Sequence, residues 1–353
     1  MNEKFPFVDD LFSQAKGVMD VVEGYDSKEM EEISKRYRKG EFDRVVISAM
    51  GASTFGTYPA WLTLVQAGVP AIWTDTSELL SYASGLLDGR TLLWLVSNSG
   101  RSIETTRVLS RLEEFDSLTL LANTNFADSP LAQAADVSIP MFTGNDITLS
   151  TRSYLGTLAV NQLMAKSFLG QPIEEDLEDL AYTAEGIAEY FDHYERHLRE
   201  LDSIVGNVER MGIVGRGVSY ATALEGALCF KEGPKLNVEG LTTGQFWHGA
   251  IEMAAPNYTL LAMAGGEQTQ KEDEFLAKKA ASLGMNVIWF SDHSSNDLPT
   301  VILPKHKGIG LPIAEILPIQ LISINVGKQT GFRPGDFVHI TKSVNTRKEE
   351  FTG

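Results

Sequence analysis

The 353-residue chain has a single cysteine, Cys229. It can therefore close no disulfide within itself and supplies no multi-cysteine metal site. Basic residues are scarce as well: 30 Lys and Arg stand against 47 Asp and Glu, for a net charge of -17. That balance argues against nucleic acid and against anionic membrane surfaces as partners. It also means that a phosphorylated ligand would meet a repelling overall field, so its binding would have to come from local donors. No apolar run reads as long enough to span a bilayer. The opening MNEKFPFVDDLF lacks the form of a secretory signal, and the expected location is cytoplasmic. No P-loop lysine is present, and Gly215 to Gly217 does not complete the dinucleotide fingerprint. Nucleotide binding and dehydrogenase chemistry are thereby disfavoured. No metal and no cofactor is expected.

What is present is an alternation of short apolar runs and helical patterns, long enough for two domains. Residues 8–37 read as amphipathic helix broken near Gly24. Buried strands are expected at Arg44–Met50, Ala71–Thr76, Thr91–Val96, Leu118–Ala122 and Val137–Pro140, with helices at Tyr58–Ala67 and Ile103–Leu112. Ile147–Arg152 and a helix through Phe168 are expected to close this first unit. Polar residues 170–175, with Pro172, mark a boundary, and a charged helical stretch, 176–204, follows. The pattern then restarts: strand Met211–Val214, a glycine turn, helix to Glu232, strands Leu260–Ala264 and Asn286–Phe290 around helix Gln270–Leu283, short strand Val301–Leu303, and apolar helix Ile313–Thr330. The expected division is a helical segment at 1–40, α/β domains at 41–170 and 171–330, and a tail at 331–353. Each domain is predicted to be a mostly parallel sheet covered by helices on both faces.

Hydroxyl-rich turns follow three of the strands in the first half: Gly51-Ala52-Ser53-Thr54, Ser97-Asn98-Ser99-Gly100-Arg101-Ser102 and Ser150-Thr151-Arg152-Ser153. Serine at such places also serves simply to cap a helix. Three such turns in one sheet unit point instead to a phosphate or sugar ligand held by neutral donors and helix N-termini. In the second half, Gly215 and Gly217 allow a tight turn into a helix carrying Glu225 and Glu232 about two turns apart, hence on one face. His248 follows in Trp-His-Gly. A carboxylate and an imidazole brought together can move protons at a sugar carbon.

Taken in order and spacing, these pieces resemble the sugar isomerase (SIS) domain family, as two tandem domains over roughly residues 40–345. The likeness extends to the isomerase half of glucosamine-6-phosphate synthases. The matching pieces are Ser97-x-Ser99-Gly-x-Ser102, Ser150-Thr151, Gly215-Arg-Gly, Leu224-Glu225-Gly-Ala-Leu, Lys231-Glu232, His248-Gly and Thr341-Lys342-Ser343-Val344. The resemblance implies that Ser53, Ser97, Asn98, Ser99 and Ser102 hold a 6-phosphate and nearby oxygens. Ser150 and Thr151 would contact sugar hydroxyls, with Glu225 also among the substrate-binding positions. Glu232 would shuttle a proton between the first two carbons. His248 would open the sugar ring from a partner subunit, which implies a homodimer with a shared active site. Lys342 would sit over the sugar, where a neutral amine can form a Schiff base.

The sequence also departs from the synthase pattern. Its glutaminase domain, with an N-terminal cysteine, has no counterpart in these residues. Cys229 stands where the synthase has a lysine, Asn237 where it has a histidine, and Phe337-Val338 where Pro-Arg usually precedes the tail lysine. Fructosamine-6-phosphate deglycases, also SIS proteins, keep the Glu and His without the first lysine, and Phe246-Trp-His-Gly-Ala-Ile-Glu252 is similar to their version. The expected ligand is thus a 6-phosphorylated amino sugar or fructosamine. Deamination, deglycation and aldose–ketose isomerisation all remain open as the reaction. The alternative is a non-catalytic sugar-phosphate sensor, which would need the serine turns but not the proton-transfer residues. Cys229 itself reads as a small buried apolar residue.

Overall fold

The computed structural model describes residues 5–87, 89–115 and 118–339. The chain begins with α1 (Pro6–Phe12), α2 (Gln14–Gly24) and α3 (Lys28–Arg38). The first sheet is laid down as β1 (Arg44–Ala49), α4 (Ala52–Gln66), β2 (Ala71–Asp75), α5 (Thr76–Ser81), β3 (Thr91–Val96), α6 (Ile103–Leu109), β4 (Leu118–Thr124), α7 (Pro130–Ala134) and β5 (Val137–Pro140), followed by α8 (Arg152–Leu169). Helices α9 (Glu174–Asp192) and α10 (Tyr194–Val205) lead to the second sheet. Its elements are β6 (Arg210–Gly215), α11 (Ser219–Glu232), β7 (Val238–Thr242), α12 (Thr243–Trp247), β8 (Tyr258–Met263), α13 (Gln270–Ser282), β9 (Asn286–Ser291), β10 (Thr300–Ile302) and α14 (Leu311–Thr330).

Among the described residues, each sheet has five parallel strands. Their orders, β2-β1-β3-β4-β5 and β7-β6-β8-β9-β10, are the same topology used twice. The reason lies in the strands themselves. β3 is buried at all positions and β1 at all but its first, as expected where helices cover both faces of a parallel sheet. The first sheet also carries a buried polar ladder. Trp94 Nε1 donates to Asn161 Oδ1 at 2.9 Å, Asn161 Nδ2 donates to Asn123 Oδ1 at 3.0 Å, and Asn123 Nδ2 donates to the Ile139 carbonyl at 2.9 Å. These bonds tie β3, β4 and β5 to α8.

The chain divides into two compact units, and not at a single point. One holds the first sheet and comprises Asp20–Asp146 and Arg152–Glu175. The other holds the second sheet and comprises the chain up to Met19, the five-residue strap Ile147–Thr151, and Asp176–Asp336. The strap expected to close the first unit therefore packs with the second sheet's unit. Residues 170–175 are only a short connection before α9. The sequence reading does not place the short helices α5 and α7, nor two elements of the second sheet's unit. β7 contains Glu239 and Gly240, an unpromising strand composition, and α12 is a single turn of helix.

The expectation of no bilayer-length apolar run needs correction. Gly308–Thr330 is long and apolar enough to cross a membrane, but 89% of its apolar window is buried inside the protein. It is a core helix whose hydrophobicity is used on all sides. Within it lies Glu315, fully buried, which accepts hydrogen bonds from Ser219 Oγ at 2.6 Å and Thr222 Oγ1 at 2.8 Å. Burial pushes this carboxyl up to about 7, against the two hydroxyl hydrogen bonds, and Asp292 adds to the rise. The folded protein thus keeps a proton that the unfolded chain releases near the ordinary glutamate value, so stability from this group declines as pH rises through that window and levels off above about 7. The span corresponds to an effect on the order of 3 kcal/mol. Glu315→Gln should flatten the fall in melting temperature between pH 5 and pH 8. An unchanged pH profile in the variant would contradict this account.

Candidate functional site

In a sheet of this order the strand sequence reverses direction beside the first strand, and the loops after the two strands flanking the reversal open a crevice. For the first sheet those strands are β1 and β3. Their register pairs Ser48 with Leu95, so the chains reach Met50 and Ser97 together at the carboxyl end. The two serine turns leave from there. Ser53 lies in the first turn of α4, half-buried, and Ser97–Ser102 fills the connection from β3 to α6.

The β3–α6 turn is held by its own side chains. The Ser97 amide donates to the Asn123 carbonyl at 3.1 Å, fixing the start of the turn to β4. Ser97 Oγ accepts from the Gly100 amide at 3.2 Å and Ser99 Oγ accepts from the Arg101 amide at 3.2 Å. Ser102 caps α6, accepting from the Thr105 amide at 3.4 Å, and its Oγ lies 2.7 Å from Thr105 Oγ1. A serine oxygen that accepts from the backbone still has its own proton to give. The Ser97 and Ser99 hydroxyls are thus oriented as donors. Asn98 does less of this: its Oδ1 accepts from Asn125 Nδ2 at 2.5 Å and its carbonyl from Thr124 Oγ1 at 3.1 Å, so it braces the turn. Arg101 pairs with Asp128 at 2.9 Å. Gly100 has φ +60°, and a Cβ there would overlap the Ser129 side chain.

The equivalent crevice of the second sheet, after β6 and β8, is arranged differently. Gly217 supplies the expected positive φ of +57°. The start of α11, however, already has an acid on it: Ser219 and Thr222 are engaged by Glu315. Arg216, in the same turn, pairs with Glu272 and, at 3.4 Å, with Asp273. The helix start after this glycine turn is thus met by carboxyl groups of the protein itself.

Proton-transfer candidates lie elsewhere in this unit. α11 carries Glu225, buried, and ends on Glu232, half-buried. Burial pushes the Glu232 carboxyl above the ordinary range, and the nearby Lys235 charge offsets part of that rise. Lys235 was not singled out from the sequence. It has φ +59°, and its Nζ donates to the Glu232 carbonyl and, at 2.8 Å, to the Asp336 carbonyl. That joins the loop after α11 to the start of the tail, which is well packed here: a Cβ at Gly233 would lie 3.4 Å from Pro334. Cys229 is buried, and burial pushes its thiol up to about 12, so it is a neutral packing group. His248 caps the C-terminal end of α12 and is exposed, beside Trp247. Asn237 is exposed as well.

Ser150 and Thr151 end the strap. Ser150 is half-buried, and Thr151 is fully buried. The strap belongs to the same unit as Glu232. Lys342 lies outside the described residues.

Comparison with known proteins supports the sequence reading. Residues 206–326, which span the second sheet and run into α14, match the model of the SIS domain. The glutamine–fructose-6-phosphate aminotransferase (isomerizing) of Pyrococcus horikoshii is 27% identical over 344 residues, covering 95% of this chain and 56% of that protein. That of Shouchella clausii is 28% identical over 316 residues, covering 86% and 51%. The chain spans about half the length of these relatives. Among solved structures, the C-terminal domain of glucosamine-fructose-6-phosphate aminotransferase from Francisella tularensis superposes with a TM-score of 0.82 at 19% identity, covering 95% of this chain and 99% of that one. Glucosamine-6-phosphate deaminase from Thermotoga maritima does so at 0.75 and 17% identity, covering 96% and 99%. The two-sheet α/β fold is shared with both.

The serine turn yields a graded prediction. Gly51 and Gly100 both have positive φ, but a Cβ at Gly51 meets open space. Gly51→Ala should cost about 1 kcal/mol from backbone strain alone. Gly100→Ala should cost about 2–3 kcal/mol, since overlap with Ser129 adds to the strain. Urea melts of the two variants check the order, and equal losses would refute the packing account of the turn.

Proposed function

We propose that this protein is a phosphosugar-processing enzyme of the SIS type, acting on a 6-phosphorylated amino sugar or fructosamine. Its central step is proton transfer between the first two sugar carbons by Glu232. The observation that carries this reading is the state of Glu232: a carboxyl at a helix end, half-buried, with its proton affinity raised by burial. A general base works best when its pKa approaches the working pH. A freely solvated glutamate at the same place would be a weaker base, and a salt-bridged one weaker still.

The remaining roles follow the family likeness position by position. Ser53, Ser97, Ser99 and Ser102 receive the phosphate ester, with Asn98 holding the turn in shape. Ser150 contacts a sugar hydroxyl, the fully buried Thr151 supports it from the end of the strap, and Glu225 lies one face-repeat behind Glu232. Lys342 serves as the amine that engages the open-chain carbonyl. His248 assists ring opening in the active site of a second copy, so the working form is a cytoplasmic homodimer. Support for that contact surface comes from the exposed pair beside His248. Trp247 is 41% exposed, Phe275 is 62% exposed, and their rings pack at 5.9 Å. Aromatic groups left in water next to a functional histidine suit a protein contact.

Proton transfer at the second carbon is common to three outcomes. With glucosamine 6-phosphate it precedes loss of ammonia. With a fructosamine 6-phosphate it precedes release of the amine. With no nitrogen substituent it interconverts aldose and ketose. The relatives' names refer to transfer of an amino group and to isomerisation, and the Thermotoga structure's to deamination. All three need the same base.

Incubation with glucosamine 6-phosphate, several fructosamine 6-phosphates and fructose 6-phosphate, following amine release and aldose–ketose exchange, identifies the reaction. Glu232→Gln should then lower turnover by about a hundredfold or more while leaving substrate affinity within a few-fold. The wild-type rate should rise with pH on a limb lying above the ordinary carboxylate range, because the deprotonated base is the active form. Turnover by Glu232→Gln equal to wild type would remove the role assigned to it. Tight binding with no turnover of any of these compounds would favour the sensor. For the assembly, Trp247→Ser with Phe275→Ser should shift the sedimenting species toward monomer and lose activity in parallel. A fully active monomer would refute the shared site.

A further inference from the structure

Asp10 is a buried carboxylate with no place in the chemistry so far. It lies on α1, is 1% exposed, and accepts four hydrogen bonds. The Ile147 amide donates to its two oxygens at 2.8 and 2.9 Å, the Thr148 amide donates to Oδ2 at 2.8 Å, and Thr148 Oγ1 donates to Oδ2 at 2.9 Å. Hydrogen bonds to an ionised acceptor are about twice as strong as neutral ones. A carboxylate removed from water persists only where its lone pairs are satisfied in this way.

All three donor groups, two amides and one hydroxyl, belong to the strap. The chain on either side, through Asp146 and from Arg152 onward, belongs to the unit of the first sheet, yet Ile147–Thr151 packs with α1. The strap has no helix or strand of its own to hold it. Asp10 supplies what regular structure would otherwise supply, namely partners for its first backbone N–H groups. The contacts continue beyond it. A Cβ at Gly335, where φ is +98°, would lie 2.7 Å from Thr148 Cγ2. The next residue, Asp336, gives its carbonyl to Lys235 Nζ, which also donates to the carbonyl of Glu232. An unbroken series of close contacts therefore runs from Asp10 through Thr148, Gly335–Asp336 and Lys235 to the backbone of the proposed base.

We infer that Asp10 is a positioning residue: by clamping Ile147 and Thr148 it fixes where the half-buried Ser150 presents its hydroxyl to the sugar, with the fully buried Thr151 anchoring the end of the strap, and it braces the tail segment tied through Lys235 to Glu232. The inference rests on the reading above that Ser150 meets the sugar. It separates two parts of ligand recognition. In the proposed reading the phosphate is held by the β3–α6 turn, which is braced by its own side chains, whereas the sugar hydroxyls depend on the strap.

The test uses the full chain and the variants Asp10→Asn and Thr148→Val. Asparagine keeps the size but turns one acceptor into a donor facing an N–H, and valine removes only the hydroxyl donor. Hydrogen exchange of the strap amides is read first, without ligand. Exchange at Ile147–Thr151 should accelerate by about tenfold or more in Asp10→Asn, with the strands of both sheets unchanged. Titrations with glucosamine 6-phosphate and with inorganic phosphate are read second. Asp10→Asn should weaken the phosphosugar by about tenfold and Thr148→Val by about threefold, while inorganic phosphate changes by less than about twofold. Unchanged strap exchange would overturn the clamp. Equal weakening of both ligands would also overturn it, showing a general loss of structure instead of a loss confined to the sugar. If Asp10→Asn fails to fold, Thr148→Val carries the same comparison, and equal effects on both ligands there overturn the role. Wild-type protein that binds neither probe would defeat the reading of the site itself. That result is distinct from a wild type that binds and an Asp10 variant that binds equally well.

Discussion

A parallel sheet sends all its strands out at one end, and the order 2-1-3-4-5 places the loops after its first and third strands side by side there. Everything proposed for ligand binding in the first-sheet unit depends on that constraint. It brings Ser53 and the Ser97–Ser102 turn to the same edge without any sequence proximity between them. The buried ladder from Trp94 to Asn161, Asn123 and Ile139 keeps the strand ends in register, and Asn123 also receives the Ser97 amide. In the proposed reading, hydroxyls take the place of cations as anion donors, which would let a chain with so large a surplus of acid meet a dianion through local O–H groups without the cost of burying a lysine.

The second sheet repeats the topology and fills it differently. Gly217 holds a positive φ, as Gly51 does, so the backbone of the turn is conserved between the units. The side chains are not. Glu315 from α14 reaches the hydroxyls at the start of α11, and Arg216 is taken up by Glu272 and Asp273. An anion-binding helix start is in effect closed by the protein's own carboxyl. With its turn closed, α11 offers a candidate group at its other end, where Glu232 emerges half-buried before Gly233 and Pro234 stop the helix. On the proposed function, one topology would serve two different uses: donors at the start of a helix in one unit, an acid at the end of a helix in the other.

Much of the fold was legible because burial on both faces writes continuous apolar runs. β3 and β5 fall where TLLWLV and VSIP predict them, and Leu311–Thr330 extends its predicted helix by only one turn's fraction. β7 was not legible. Its VEGLT has a charge and a central glycine, and the reason is tertiary: a Cβ at Gly240 would come within 2.6 Å of the Ala223 carbonyl carbon, so only glycine lets β7 pack against α11. The strap's packing was not legible because nothing local distinguishes ITLST from a closing turn; its partner, Asp10, is more than a hundred residues away. Lys235 was passed over for a similar reason. Its left-handed backbone and its double tether to Glu232 and Asp336 are properties of the folded loop, and lysine is seldom chosen for either. The motif residues were readable as types, while the groups that hold them in place were not.

Position 229 shows how a departure from a family pattern changes chemistry without entering it. A lysine there, one helical turn before Glu232, would place a cation near the carboxylate and favour its ionised form. Cys229 places a neutral thiol instead, with burial holding its pKa at about 12 and Ser323 as its hydrogen-bond partner on α14. The effect of burial on Glu232 is then opposed by Lys235, whose ammonium is itself committed to two backbone carbonyls. The carboxyl is left with a higher proton affinity than a lysine at 229 would allow. In the proposed reaction, that would favour a group that takes a proton from one carbon and gives it back to the next over one held permanently as a carboxylate. Cysteine at 229 would then remove a charge from beside the proposed base and adjust that base instead of disabling it.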